Sequence, residues 1–425
     1  MSSLLIANST FERIVQEIPA EVEMLAREFG AFSRSRAVRN PKELLRAVLM
    51  YGATDQSLRE VAANFTQNGR RLSDEAVRWR LSTCGPWLQA MIEAMMPKAE
   101  DIAGASSMRL KIVDSTTVEA RGAVTTDYRV HLGWNHSEQR LSDLLLTDNK
   151  TGESLKLFDW QEGDVVLADA GYAKAGQMAH VKASGADYVV RCAPKQIALY
   201  LPGGERLNVV KELQRSKGKM TVSMNVLLGL KDGERQSGWL HAFRLPEKDA
   251  QQARRRVKKR AQKKYKGIIN EETLYLAGWM LILTSFPPEK VPAEIVGRLY
   301  RGRWQIEIVI KRLKSVLDLD ALRARRGSRL ARVYLLAKLL YSLMIERRTL
   351  GLKAAKDVGW RVWKLMARHI GTCIAFPTTA NYEINKDVMK VLKERQRKRK
   401  LLRHHIDKSI RMMTVTYCEY NSLQP

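Results

Sequence analysis

A mixed α/β layer set between two helical regions is the fold class that this chain of 425 residues predicts. Three observations carry it. The first hundred residues or so place apolar side chains at helical spacing; from residue 109 short aliphatic runs of strand character take over; and from residue 299 helical spacing returns. With 45% hydrophobic residues the chain can bury a substantial core, spread over about two to four domains.

Taken in order, residues 41–50 form one amphipathic helical stretch. Ser57-Leu58-Arg59-Glu60 is a capping-box start for a helix to about Phe65, and Ser73 can cap a second, over 74–81, that carries Arg78 and Arg80. Two short helices joined by a polar turn containing Gly69 are compatible with a helix-turn-helix reading DNA, and equally with a plain helical bundle. Strand-like runs follow at 110–113, 128–132, 144–146, 165–168 and 188–191, with a helix over 175–184 linking the last two. Further strand-like pieces at 220–228, 239–245 and 279–284, with a basic run between the last two, read as a β-rich insertion dividing the α/β domain. The chain after Lys314 reads as helical again. The expected organisation is a helical, DNA-binding N-terminal domain at 1–104, the core at 105–194 and 287–325, the insertion at 195–286, and a helical C-terminal region at 326–425.

Charge narrows the partners. There are 73 Lys and Arg against 45 Asp and Glu, a net charge of +28 and a pI near 10.0, which points to nucleic acid. A membrane surface or an acidic protein would also attract such a chain, but no basic amphipathic helix stands out as a surface anchor. Basic residues concentrate in 254–266, where nine of thirteen are Lys or Arg, in Arg323, Arg325, Arg326, Arg329 and Arg332, and in 393–400, where six of eight are basic. The longest apolar stretch, 333–345, contains Lys338 and is too short to span a bilayer. No apolar signal core lies near the N-terminus, so a cytoplasmic protein is expected. Cys84, Cys192, Cys373 and Cys418 are dispersed, with no zinc or disulfide pattern.

The chemistry concentrates around 300–314. Read as one helix over 299–317, this segment places Tyr300, Arg303, Glu307 and Lys314 within about 60° of arc, with Lys311 beside them and the aliphatic residues opposite. One acid is thus held among groups suited to gripping phosphate. Trp304 shares this polar face, where a core tryptophan is not favoured. Asp114 ends the run Leu110-Lys-Ile-Val-Asp114, and Asp169 ends Val165-Val-Leu-Ala-Asp169. In both, a short apolar strand delivers an aspartate as the chain turns, the place where α/β sheets put reactive groups; each could instead be a turn residue or a helix cap. Gly171 is expected to let the backbone leave the strand sharply. A centre with two divalent ions needs two or three carboxylates meeting at one point, and seven histidines without metal-binding spacing leave carboxylates as the ligands.

The ordered set Asp114, Asp169, Glu307, with the third acid inside Tyr-x2-Arg-x3-Glu-x6-Lys, resembles the DDE transposases of bacterial insertion sequences, more narrowly insertion-sequence family four, with its Tn-five and Tn-ten type enzymes. The resemblance covers roughly residues 105 to 320. It implies an RNase H-like (retroviral integrase-like) catalytic domain in which Asp114, Asp169 and Glu307 ligate two Mg2+ or Mn2+ ions. It implies that Tyr300, Arg303 and Lys314, with Lys311 nearby, hold the phosphate at a transposon end, and that Arg191 helps to hold that end. In relatives that form a DNA hairpin, one tryptophan displaces a base and another stacks on it, and Trp304 and Trp279 stand at similar positions; Trp279 reads equally as a core residue. After Asp169 this chain has Ala-Gly-Tyr where the best-studied hairpin former carries further acids. The implied partners are double-stranded DNA, as terminal inverted repeats and target, and a second copy of the chain in a synaptic complex. The implied reaction is cut-and-paste transposition. Two rivals share the acids or the charge: an RNase H-like nuclease or resolvase without strand transfer, and a transposase-derived DNA-binding regulator.

Overall fold

In the computed structural model, the residues described are 11–15, 18–67, 70–97, 108–120, 122–123, 125–231, 233–264, 269–350 and 360–375. Gly69, the 393–400 basic run and Cys418 lie outside them. Six helices come first: α1 (Phe11–Val15), α2 (Val22–Glu28), α3 (Pro41–Gly52), α4 (Leu58–Gln67), α5 (Asp74–Ser82) and α6 (Gly85–Met95). The expected caps are present. Ser57 and Glu60 exchange bonds with each other's amides, and the Ala76 amide donates to Ser73 Oγ at 3.1 Å.

Strands β1 (Arg109–Ala120), β2 (Tyr128–Asn135), β3 (Arg140–Asp148), β4 (Asp164–Ala168) and β5 (Asp187–Arg191) follow, with α7 (Ala175–Ala183) between the last two. Next come β6 (Leu199–Tyr200), α8 (Val209–Arg215), β7 (Thr221–Gly229), β8 (Arg235–Arg244), α9 (Glu247–Lys264), α10 (Glu271–Leu276) and β9 (Trp279–Thr284). The chain continues through α11 (Ala293–Arg301), α12 (Trp304–Leu317), β10 (Ala321–Leu322), α13 (Arg329–Leu350) and α14 (Trp360–Ala375). A single sheet runs in the order β3-β2-β1-β4-β5-β9-β8-β7-β6, with β10 paired to β1. The first three strands are antiparallel, and β1, β4 and β5 are mutually parallel. β4 is buried along its whole length, as a central parallel strand covered on both faces must be. Its one acid, Asp164, is held by Arg109 at 2.8 Å and Lys111 at 2.9 Å.

Two apolar layers sandwich this sheet. One face packs against α11 to α14 and the N-terminal helices. The other packs against α7 and continues over the strands beyond β5. The 333–345 run lies in α13, buried almost all round between α3, α6 and α14. α3 and α13 cross closely at Gly52, where a Cβ would lie 2.5 Å from Ala337 Cβ. Lys338, inside that run, is buried against Asp55 at 3.1 Å and donates to the Leu317 carbonyl at the end of α12 at 2.5 Å.

The structure corrects four sequence expectations. Residues 299–317 are two helices rather than one: the chain breaks at the buried Gly302, so Tyr300 sits on α11 while Glu307, Lys311 and Lys314 sit on α12. Glycine is among the weakest helix formers, and apolar spacing on either side hid the break. β1 does not end at Asp114 but runs six residues further, paired with β2. The return of helix after Lys314 holds for α13 and α14 but not without a break: α12 runs on to Leu317 and stops where Asp318 takes a left-handed backbone (φ 47°), leaving β10 and Arg323, Arg325 and Arg326 before α13. Finally, most of the 254–266 basic run is helix α9, so the 195–286 segment mixes helices with its strands.

Candidate active site

Asp114 and Asp169 come level at the end of the sheet where β4 stops, and Glu307 is linked to Asp114 through Arg303. The parallel β1–β4 register pairs Ile112 with Leu167, and continued two residues on it sets Asp114 level with Asp169. Side chains alternate along a strand. Asp114 therefore shares a face with Leu110 and Ile112, which lie in the layer that includes Ile306, Val309 and Leu313 of α12. Burial of those three residues turns the opposite face of α12 outward, where Trp304, Glu307, Lys311 and Lys314 follow one another at intervals of three and four.

Arg303 ties the site together. Its guanidinium lies 3.4 Å from Asp114 Oδ2 and pairs with Glu307. Asp169 accepts from the Tyr300 hydroxyl at 3.4 Å and faces Arg191 at 3.9 Å. Tyr300 is only 8% exposed, and burial pushes its hydroxyl up, so it remains a neutral donor. Asp169 and Glu307 are open to solvent, with side chains 44% and 55% exposed, whereas Asp114 lies deeper. Burial chiefly pushes the Asp114 carboxyl up to about 6; nearby Asp169 and Glu153 add to this, and the Ser115 amide and Arg303 oppose it.

Lys311 is exposed and Lys314 half-buried, and neither forms an ion pair with an acid among the described residues. Trp304 is 36% exposed at the start of α12, beside Gln305, whose Oε1 meets His136 Nδ1 at 3.1 Å. Trp279 differs. It is 9% exposed, sits in the second apolar layer and contacts the Tyr275 ring with centroids 6.5 Å apart. It also forms part of the wall of a groove of about 740 Å³ lined by Lys211, Arg215, Lys217, Lys219, Arg244 and Arg254. Because Ile282 pairs with Arg191, Trp279 extends beyond the same end of the sheet as the acids, roughly 10 Å along β9.

A transposase DDE domain matches residues 105–343. The chain belongs to the DDE transposases. It is 33% identical over 336 residues to the transposase of insertion sequence element IS421 of Escherichia coli, covering 77% of this chain and 90% of that protein. InsL, of element IS186A in E. coli strain K12, gives the same identity and coverage over 335 residues. These are elements of insertion-sequence family four. A shorter stretch of 83 residues, 19% of this chain and 17% of the relative, is 40% identical to the transposase of IS231F from Bacillus thuringiensis subsp. israelensis.

This transposase is an enzyme of DNA transposition, one that cleaves and transfers DNA. DNA binding is expected of it, and the DDE domain implies an RNase H-like fold and dependence on a divalent metal. The order β3-β2-β1-β4-β5 accords with that fold. The chemistry of the candidate donors would suit such an ion, since the carboxylates of Asp114, Asp169 and Glu307 offer hard oxygens. Among the described residues no three acidic, histidine or cysteine side chains close into a ready-made metal cage. Arg303 occupies the space between Asp114 and Glu307 instead. Among the described residues no helix is long and apolar enough to cross a membrane.

Sequence reasoning missed Glu153. It lies between β3 and β4, accepts from Ser115 Oγ at 3.0 Å and pairs with Arg129 at 3.3 Å. Nothing in its neighbourhood marks it: no strand end, no helical spacing and no signature spacing to the other acids. The reason for Gly171 also changes. Its backbone is not left-handed; a Cβ there would run into Glu153 Oε2.

Proposed function

We propose that Asp114, Asp169 and Glu307 are the metal-holding acids of this transposase, and that Tyr300, Arg303, Lys311, Lys314 and Arg191 hold the phosphates of a DNA end beside them. The observation that carries this reading is Arg303, which joins Asp114 of β1 to Glu307 of α12 while Tyr300 and Arg191 flank Asp169. Acids far apart in sequence thereby share one sheet end with the basic signature groups.

Two divalent ions, Mg2+ or Mn2+, would supply Lewis-acid charge to the attacking and leaving oxygens. Arg303 neutralises the acids in the free chain and passes to the DNA phosphate when the end arrives, freeing Asp114 and Glu307. Tyr300 stays neutral and donates to a phosphate oxygen. Lys311 and Lys314, aligned with Glu307 on α12, fix the duplex by charge. In the first reaction a water oxygen bonds to phosphorus at the transposon end and the 3′-oxygen leaves as a hydroxyl. In the second that hydroxyl oxygen bonds to a target phosphorus, and the target's 3′-oxygen departs with the proton. Both are in-line displacements at phosphorus, so one site serves both.

Trp304, exposed at the start of α12, displaces a base at the end, and Trp279, beside the basic groove, stacks on it. Residues 195–286 act as the family's insertion, with α9 following DNA. The N-terminal helices bind the terminal inverted repeats, and two copies pair the ends in a synaptic complex through the C-terminal region. The enzyme works in the cytoplasm, at the nucleoid. The test is Glu307→Gln with a duplex carrying the element's terminal repeat: retained binding with lost cleavage supports the reading, and unchanged cleavage overturns it.

A further inference from the structure

We propose that Glu153 is a positioning residue that braces Asp114 against Asp169 from behind the sheet; this rests on the reading of those two acids as metal ligands. Side-chain alternation turns Asp114 toward α12 and Ser115 toward the opposite layer, where Val113 packs. Glu153 lies on that opposite side. Its Oε1 accepts from Ser115 Oγ at 3.0 Å and meets Arg129 Nη1 at 3.3 Å, and Arg129 also donates to Ser115 Oγ at 2.9 Å. Its Oε2 rests against Gly171 so closely that a Cβ there would run into it and the carboxylate would have to shift from its place beside Ser115.

One carboxylate thus touches the residue after Asp114 and the residue two beyond Asp169. Its own backbone is fixed in turn: Gln177 of α7 donates to the Glu153 carbonyl at 3.4 Å and accepts from the Leu155 amide at 3.0 Å. Tyr172, which follows Gly171, is fully buried. Asp114 belongs to a strand held by β2, whereas Asp169 has just left β4 and has no ladder partner beyond Ala168. The contact at Gly171 supplies what the ladder does not, and it sets the distance between the two acids. Because the sheet separates Glu153 from α12, it acts through Ser115 and Gly171 and not as a ligand.

The experiment measures Mn2+ affinity of the full-length chain without DNA, by calorimetry or by the electron paramagnetic resonance of free Mn2+. Glu153→Ala should weaken binding by about 10–100-fold, the range for loss of a residue that orients metal ligands. Glu153→Gln keeps the acceptor for Ser115 and Arg129 and should stay within about threefold of the parent, a far smaller loss than that range. Gly171→Ala should weaken binding on its own, yet add little to Glu153→Ala, since the colliding carboxylate is then gone. Asp114→Ala serves as the control. If it leaves Mn2+ binding intact, the metal-site reading fails; if it abolishes binding while Glu153→Ala stays within twofold of the parent, the brace fails. A Glu153→Gln loss equal to that of Glu153→Ala also overturns the brace, because charge and not hydrogen-bonded position would then be at work.

Discussion

Replacing Glu346 by glutamine should stabilise this transposase at alkaline pH and not at acid pH. Glu346 projects from α13 and accepts from the Leu141 amide at the start of β3 at 2.9 Å. Burial pushes its carboxyl from the ordinary 4.5 up to about 7, against the opposing pull of that amide, Arg312 and Arg140. Between those two values the folded chain binds more protons than the unfolded one. Stability therefore falls as pH rises through this window; the penalty is absent below the unfolded value and fully present above the folded one. Worked from the shift, the penalty amounts to ~3 kcal/mol. Glutamine keeps a carbonyl oxygen for Leu141 and cannot ionise. Urea unfolding of parent and Glu346→Gln, followed by circular dichroism, should show their stability difference moving by ~3 kcal/mol in favour of the variant from about pH 4.5 to about pH 8. A difference that stays flat across that range would refute the reasoning.

Lys338→Met should lower stability by ~3 kcal/mol, seen as a lower urea midpoint, because it strips a buried ammonium from Asp55 and from the last carbonyl of α12. Adding Asp55→Asn should recover part of the loss, since the carboxylate no longer lacks its partner; no recovery would show that the ion pair is not the cause. Lys311→Ala and Lys314→Ala should each reduce the slope of log affinity against log salt by about 0.9, for terminal-repeat and unrelated duplexes alike. An unchanged slope in filter-binding titrations would place these lysines off the phosphates.

What the sequence disclosed followed from periodicity. The strands around 110, 128, 144, 165 and 188 and the capped helices at Ser57 and Ser73 stand where local pattern put them, since alternation and capping chemistry are local properties. Asp169 ends its strand as expected. Asp114 does not, and its access comes from β4 stopping beside it, a fact of the neighbouring strand that no local pattern records. The break at Gly302 was hidden because both sides of it are helical, and it moves Tyr300 to α11, from which its hydroxyl reaches Asp169. The chain after Lys314 read as helical without a break because polar residues carry no period of their own; the left-handed Asp318 and the β10–β1 pairing interrupt it, so that Arg323, Arg325 and Arg326 precede α13 while Arg329 and Arg332 lie on it. Glu153 was beyond reach, because its place depends on a loop packing at once against the middle of β1 and the turn that follows β4.

The central claim is that one carboxylate centre serves both hydrolysis and joining. Supplying the full-length chain with pre-cut ends bearing a free 3′-hydroxyl, a supercoiled target plasmid and Mg2+ or Mn2+ tests it most directly. The account predicts a covalently joined end–target product from the parent chain and none from Asp114→Asn. Degradation of the ends with no joined product, or joining that survives Asp114→Asn, would contradict it.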